Sequence, residues 1–83
     1  MQTPRELEDL ARNQERVIIR KEEYDEERIL VVDFGPTDGE LSLDIVDDTA
    51  IIAADRKQFE FEVPPDADEM TVNDGILSIK QDL

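Results

Sequence analysis

The spacing of the apolar residues changes near Arg16, and this change most constrains the fold. Before Arg16, apolar residues recur at intervals of three and four; after it, they alternate with polar residues over short stretches. Successive side chains of a strand point to opposite faces, so a period of two indicates strands that bury one face. The sequence therefore predicts one N-terminal helix followed by β structure.

From Arg16 onward, seven stretches are typical of strands, and turn signals separate them. In order they are RVIIRKEEY, RILVVDF, ELSLDIV, TAIIAAD, QFEFEV, MTV and ILSIK. The second is apolar on both faces, which predicts a central strand. Asn73-Asp74-Gly75 lies between the last two and is typical of a hairpin turn. Short strands at intervals of about eight to twelve residues predict an all-β chain, an immunoglobulin-like antiparallel β-sandwich.

Within the alternating stretches, inward and outward faces can be assigned. We expect Leu41, Leu43 and Ile45 to point into the sandwich, and likewise Phe59, Phe61 and Val63. The intervening polar residues are then expected to face solvent.

The helix is predicted for an N-terminal arm (residues 1–15) that precedes the sandwich domain (residues 16–83). Thr3 and Glu6 have the spacing of a capping box, and Pro4 suits the first helical position. Leu7, Leu10 and Ala11 share one face of this helix. The apolar stripe is thin, so the helix needs another surface to lie against.

Acidic residues dominate the charge: 23 Asp and Glu against nine Lys and Arg give a net charge of −14. The basic residues are scattered, which argues against partners such as nucleic acid or an anionic membrane. Two interpretations of the acidity are open. The dispersed acids favour a haloarchaeal protein from a high-salt cytoplasm, because salt screens self-repulsion. The alternative is an acidic surface for a basic partner, including nucleic-acid mimicry.

The residue inventory argues against catalysis. The chain has no Cys and no His, which excludes disulfides, thiolate ligands and the commonest general base. Ser42, Ser78 and Tyr24 therefore have no histidine to activate them. The acidic DADE segment at residues 66–69 lacks the glycine and the bidentate Glu of a calcium loop. We expect no enzyme activity, no catalytic residue, no cofactor and no metal site.

The location of the protein is predicted from its hydropathy. The first residues include no apolar segment typical of a secretory signal. The longest aliphatic run, Ile29-Leu30-Val31-Val32, is far too short to cross a bilayer. We therefore expect a cytoplasmic protein.

A protein-binding groove is the site that the alternation suggests. If Ala50 and Ile52 face the core, Ile51 and Ala53 form an apolar outer strip, to which Ile76 can add. A second possibility is that Leu7, Leu10 and Ala11 of the helix cover this strip. The two possibilities remain open from the sequence.

Several segments together resemble the α-crystallin domain of small heat-shock proteins, over roughly residues 16–80. The closing motif of that family is similar to Asp74-Gly75-Ile76-Leu77-Ser78-Ile79. Its earlier motifs resemble Asp33-Phe34-Gly35-Pro36, Leu41-Leu43-Ile45 and Phe59-Phe61-Val63-Pro64. The resemblance implies an α-crystallin-type sandwich and an ATP-independent chaperone of the stress response, which shields apolar segments of other proteins.

Two family features are missing, and they limit what the resemblance implies about assembly. Only Asp55–Gln58 stands where many members carry a long dimerisation loop, and no I-x-I tail follows Lys80. We therefore expect a monomer or small homo-oligomer. The CS domains of co-chaperones are similar in kind, so the alternative function is a non-catalytic adaptor or assembly factor that binds one specific protein.

Overall fold

The computed structural model describes residues 3–14, 16–35, 41–54 and 57–83. Within these ranges a helix, α1 (Arg5–Asn13), precedes seven strands. The strands are β1 (Ile18–Glu23), β2 (Glu27–Asp33), β3 (Ser42–Val46), β4 (Thr49–Ala54), β5 (Lys57–Glu62), β6 (Glu69–Asn73) and β7 (Ile76–Asp82). The prediction of an all-β sandwich with one short helix is confirmed as the general architecture. Residues 36–40, between the second and third predicted strands, and residues 55–56 of the Asp55–Gln58 segment lie outside the described residues.

The strands form two antiparallel sheets. The larger has the order β1-β2-β7-β6 and the smaller the order β3-β4-β5. In the larger sheet, β2 lies between β1 and β7, which confirms the central position predicted from its two apolar faces. The smaller sheet joins three consecutive strands. This order differs from that of an immunoglobulin constant domain, whose smaller sheet joins the third, sixth and seventh strands.

The core lies between the two sheets and draws on both. The four-stranded sheet contributes Leu30, Val32, Leu77 and Ile79, and the three-stranded sheet contributes Ala50, Ile52 and Phe61, all 0–2% exposed. Burying one such large apolar side chain contributes about 1.5–3 kcal/mol, so this small set carries much of the stability. The rings of Phe34 and Phe59 stack at a centroid distance of 6.1 Å.

In β3, one residue that was predicted to point into the sandwich is not buried. Leu43 packs against the core, as expected, but Ile45 remains 49% exposed. The alternation is correct, because Leu43 and Ile45 are two residues apart on one strand. Ile45 is left uncovered because β3 is an edge strand of the smaller sheet.

The helix forms where predicted, but its predicted capping box was wrong. Pro4 occupies the capping position, and its carbonyl accepts hydrogen bonds from the amides of Leu7 and Glu8, both at 3.1 Å. No side chain caps the helix. The Glu6 carboxylate instead accepts a hydrogen bond of 2.8 Å from the Glu62 amide in β5. The capping spacing in the sequence could not show that a nearby strand would compete for this carboxylate.

The helix closes one side of the sandwich. It lies against β5 and β1, which are edge strands of different sheets. Leu7 is 1% exposed and belongs to the core, while Leu10 and Ala11 are partly buried against it. A helix with so thin an apolar stripe is stable here because the core supplies the surface that it needs.

The predicted hairpin is present between β6 and β7. Asp74 and Gly75 have φ angles of 52° and 78°, and a turn with two positive φ angles matches the right-handed twist of the strands. The Gly75 carbonyl also accepts a hydrogen bond of 3.1 Å from the Phe34 amide. The turn is thus tied to the end of β2.

Candidate functional site

The three residues of the predicted groove do not come together. Ala50 and Ile52 point into the core, so Ile51 and Ala53 lie on the outer face of the three-stranded sheet. Leu77 points into the core from β7, so Ile76 lies on the outer face of the four-stranded sheet. The outer faces of two packed sheets point in opposite directions. A single groove lined by Ile51, Ala53 and Ile76 is therefore corrected to two separate surfaces.

The helix does not cover the strip formed by Ile51 and Ala53, so the second possibility was also wrong. Leu7, Leu10 and Ala11 pack against the core from the side of β5 and β1. Both Ile51 and Ala53 lie outside that core cluster and are half-buried. The thin apolar stripe correctly signalled a contact, but it could not distinguish the core from an outer face.

The outer face of the three-stranded sheet is acidic with an apolar centre, and we call it the acidic face. It consists of Ser42, Asp44, Val46, Thr49, Ile51, Ala53, Gln58, Glu60 and Glu62. Ile51 pairs with Asp44 on one side and Glu60 on the other. Val46 is 51% exposed and lies diagonally beside Ile51. None of these nine described residues is Lys or Arg, so no basic group within the face offsets its carboxylates.

The outer face of the four-stranded sheet differs, and we call it the mixed face. It includes Ile18, Arg20, Glu22, Glu27, Ile29, Val31, Asp33, Glu69, Thr71, Asn73, Ile76, Ser78, Lys80 and Asp82. The Lys80 ammonium lies 3.2 Å from a Glu27 oxygen and 3.5 Å from an Asp82 oxygen. The hydrogen bond to Glu27, followed by the charge of Asp82, raises the pKa of Lys80.

Apart from Ile76, the apolar residues of the mixed face were not singled out from the sequence. Val31 is only 6% exposed although it lies outside the core cluster, and Ile18 on the edge strand β1 is 54% exposed. The signal was present in RILVVDF, whose apolar residues occupy both faces. It identified a central strand without showing which residues would cover its outer side.

A further apolar surface lies where β3 and β6 meet, and we call it the β3–β6 edge. These edge strands belong to different sheets and contact one another. Their inward-facing residues are Leu43, Ile45, Met70 and Val72. Three of them are partly buried against the core, whereas Ile45 remains 49% exposed. Sequence reasoning placed Ile45 in the core, because alternation does not show which strands are edges.

Open depressions lie around the start of the helix. One, of about 380 Å³, is lined by Glu6, Asp48, Thr49, Glu60, Phe61 and Glu62 at the end of the acidic face. A neighbouring one of about 910 Å³ shares Glu6, Asp48 and Glu62 and includes Pro64 and Pro65. Carboxylates are prominent in both. In the described part of the chain, no three acidic residues are grouped closely enough to hold a metal ion.

A smaller depression, of about 220 Å³, lies beside the hairpin of β1 and β2. It is lined by Lys21, Glu22, Glu23, Arg28, Ile29 and Leu30. One ion pair lies in its lining: Nε of Arg28 lies 3.4 Å from Oε1 of Glu23. Charged side chains that pair in this way can lie at the border between the core and solvent.

Tyr24 is the one candidate nucleophile with a described polar contact of its side chain. Its hydroxyl donates a hydrogen bond of 2.9 Å to Oε2 of Glu22. That hydrogen bond, with the negative charge of Glu22, raises the pKa of Tyr24. A raised pKa keeps the phenol protonated, which opposes a role as a nucleophile.

No helix of the described residues has the length and apolarity needed to cross a bilayer.

Comparisons with known proteins identify one relationship. Neither the curated proteins nor the solved structures gave a match to this chain. A family model matches residues 1–81, a range that includes the helix and all seven strands except the last residue of β7. The chain therefore belongs to DUF7127, a family of unknown function.

Proposed function

We propose that this protein is a small heat-shock-like, ATP-independent holdase that shields apolar segments of other proteins in a high-salt cytoplasm. Its sandwich is of the α-crystallin type in this proposal. The observation that carries it is the β3–β6 edge, where Ile45 is 49% exposed on an edge strand. The Ile51, Ala53 and Ile76 groove is not used, because those residues lie on opposite outer faces.

The positions of the family-like motifs support the α-crystallin type. Asp74-Gly75 forms the turn of the last hairpin, and Leu77 and Ile79 enter the core from β7. Phe61 of the phenylalanine motif is a core residue in β5. These motif residues thus lie in the core and in a hairpin turn, where residues that determine a sandwich fold are expected.

The β3–β6 edge suits an extended apolar segment. An edge strand has backbone N–H and C=O groups that are not paired within its own sheet, and a segment of another chain can pair with them. The segment could bury its apolar side chains against Leu43, Ile45, Met70 and Val72. Such binding requires no nucleotide and no catalytic residue, and its strength follows the apolar area removed from water.

The test is suppression of aggregation. Unrelated proteins are heated in high salt with a near-stoichiometric amount of this protein, and light scattering is followed. We expect the wild type to suppress aggregation and Ile45→Asp to lose most of that effect, since a charge at this edge opposes burial of an apolar segment.

Ile18→Asp is the matched control, because Ile18 is 54% exposed and lies on the edge strand β1 of the other sheet. It should retain suppression. Failure of the wild type to suppress aggregation would refute the holdase, and equal loss in the two folded variants would refute the β3–β6 edge as its site.

The alternative function, an adaptor for one specific protein, is favoured by the acidic face. A surface with one sign of charge selects partners of the opposite sign. Pull-down from a halophile lysate separates the two functions: the adaptor should retain one dominant partner and the holdase a broad set.

A further inference from the structure

We propose that the acidic face docks an amphipathic α-helix of a partner protein, with an apolar stripe flanked on both sides by Lys or Arg. This interaction uses a different surface from the β3–β6 edge. It does not depend on the proposed holdase function.

The backbone of the acidic face determines the form of the partner. β4 is paired with β3 along one side and with β5 along the other, so its backbone groups are used within the sheet. Above the sheet, a partner therefore meets side chains and finds no free backbone groups. An extended segment would leave its own N–H and C=O groups without partners there, whereas a helix satisfies them internally.

The spacing of the charges fits a helix. The carboxylates of Asp44 and Glu60 flank Ile51 on the two neighbouring strands. Two strand spacings separate their backbones by roughly 10 Å, which is close to the 10–12 Å diameter of a helix with its side chains. A helix lying along β4 places its apolar stripe over Val46, Ile51 and Ala53. Long Lys and Arg side chains on its flanks then reach the carboxylates while their stems cover apolar surface.

The end of the acidic face continues the same pattern. The depression of about 380 Å³ begins at Thr49 and Glu62 and includes Glu6 and Asp48. The carboxylates there extend the acidic field beyond the sheet. A basic side chain near one end of the docked helix would enter this depression.

A second copy of this chain does not fit the acidic face. The described helix of another copy, α1, carries three acidic residues against two basic ones, so it does not supply the basic flanks that the face requires. Leu7 of that helix is already buried in its own core. The mixed face is also a poorer site for a basic helix, because Arg20 and Lys80 lie on it. Charge complementarity thus favours a basic partner helix on the acidic face.

The test uses a defined probe, a synthetic peptide of about 18 residues, or five helical turns, with a leucine stripe flanked by lysines. A scrambled peptide of the same composition controls for attraction to an acidic protein. We expect the wild type to bind the striped peptide about tenfold more tightly than the scrambled one, measured by calorimetry. Equal affinity for the two peptides, or no binding of the striped one, would overturn the proposal.

Variants locate the site. Ile51→Lys should weaken binding of the striped peptide at least about tenfold, because it places a positive charge beneath the stripe. Ile18→Lys makes the same change on the exposed mixed face and should leave the affinity within about twofold. Equal affinities of the two variants, both folded by circular dichroism, would contradict the assignment.

A second pair of variants keeps the proposal testable if Ile51→Lys does not fold. Asp44→Asn with Glu60→Gln removes two exposed charges and should weaken binding about three- to tenfold, with a shallower salt dependence. The matched change on the mixed face, Glu22→Gln with Glu69→Gln, alters the net charge equally and should have little effect. Equal losses in the two pairs would show general charge attraction and overturn the docking site. Suppression of aggregation should persist in both pairs, which separates this test from that of the holdase.

Discussion

The two outer faces of the sandwich differ in how their charged side chains are partnered. The mixed face places acids and bases together: Lys80 contacts Glu27 and Asp82, and Val31 beneath the surface is 6% exposed. On the acidic face, Asp44, Glu60 and Glu62 surround Ile51 without a Lys or Arg among the face's nine described residues. The mixed face pairs opposite charges within the sheet, whereas the described residues of the acidic face offer its carboxylates no basic partner. There, Oε1 of Glu60 accepts a hydrogen bond of 3.2 Å from Nε2 of the neutral Gln58.

This difference bears on how a small sandwich combines a stable core with apolar surface that stays exposed. The four-stranded sheet contains the long, doubly apolar β2, while the three-stranded sheet has a short edge strand with two exposed apolar residues, Ile45 and Val46. Stability and exposed apolar surface oppose each other in a small domain, because each apolar residue left outside adds nothing to the core. Both proposed binding surfaces therefore include residues of the smaller sheet, and the β3–β6 edge also includes Met70 and Val72 of the larger one.

The largest expected effect tests whether the two sheets depend on a common support. Leu7 lies in the core from a helix that contacts β5 of one sheet and β1 of the other. Leu7→Ala should reduce the free energy of unfolding by about 2–5 kcal/mol, through lost burial and a residual cavity. Urea denaturation in high salt, followed by circular dichroism, measures the change.

Leu83→Ala is the control for this prediction, since Leu83 is 60% exposed. It should change the free energy of unfolding by less than about 0.5 kcal/mol. Similar small changes in both variants would mean that the helix does not support the core and that the sandwich is stable without it.

A smaller effect compares one hairpin turn in each sheet. In the four-stranded sheet, Gly75 has a φ of 78°, and a Cβ there would lie 3.3 Å from the Gly35 carbonyl oxygen. Gly75→Ala should therefore lower the free energy of unfolding by about 1–2 kcal/mol. In the three-stranded sheet, Asp47 already adopts a φ of 56° with a side chain, and Asp47→Gly should stay within about 0.5 kcal/mol of the wild type.

Urea denaturation again measures both variants. A loss for Asp47→Gly as large as that for Gly75→Ala would contradict the comparison. It would show that the Asp47 side chain, and not only the turn geometry, stabilises the three-stranded sheet.

The fold was largely predictable because its signals are local. Alternation depends only on neighbouring residues, and it predicted the strands and the core position of Phe61, while the Asn73-Asp74-Gly75 segment predicted the last turn. The capping box failed because Glu6 found a partner 56 residues away, in the Glu62 amide. A local pattern contains no information about a competitor so distant in sequence.

The candidate site was less predictable because it depends on which strands are neighbours. The sequence placed Ile51 and Ile76 outside the core on the condition that Ile52 and Leu77 face it, which they do, but it could not assign the two residues to different sheets. Nor could it show that β3 is an edge strand, which leaves Ile45 exposed. Alternation gives the face of a residue, and only the strand order gives its surroundings.

The smallest expected effect tests the local pairing of charges beside the mixed face. Tyr24 follows β1 and is the single tyrosine of the chain, so its absorbance reports one titration. Its hydroxyl donates to Glu22, and both this hydrogen bond and the Glu22 charge disfavour the phenolate, so the pKa is raised above the usual value of about 10. Glu22→Gln should move the midpoint of an ultraviolet pH titration towards that usual value, because an amide carries no charge. Because the folded-state pKa is raised, the interaction stabilises the fold below pH 10 or so and is lost as the pH rises through the folded-state pKa.

The matched variant Glu60→Gln, on the acidic face, should leave the Tyr24 midpoint unchanged. A midpoint that moves equally in both variants would mean that the net charge of the molecule, and not a local pair, sets the Tyr24 pKa, and the contrast between the two faces would lose this support.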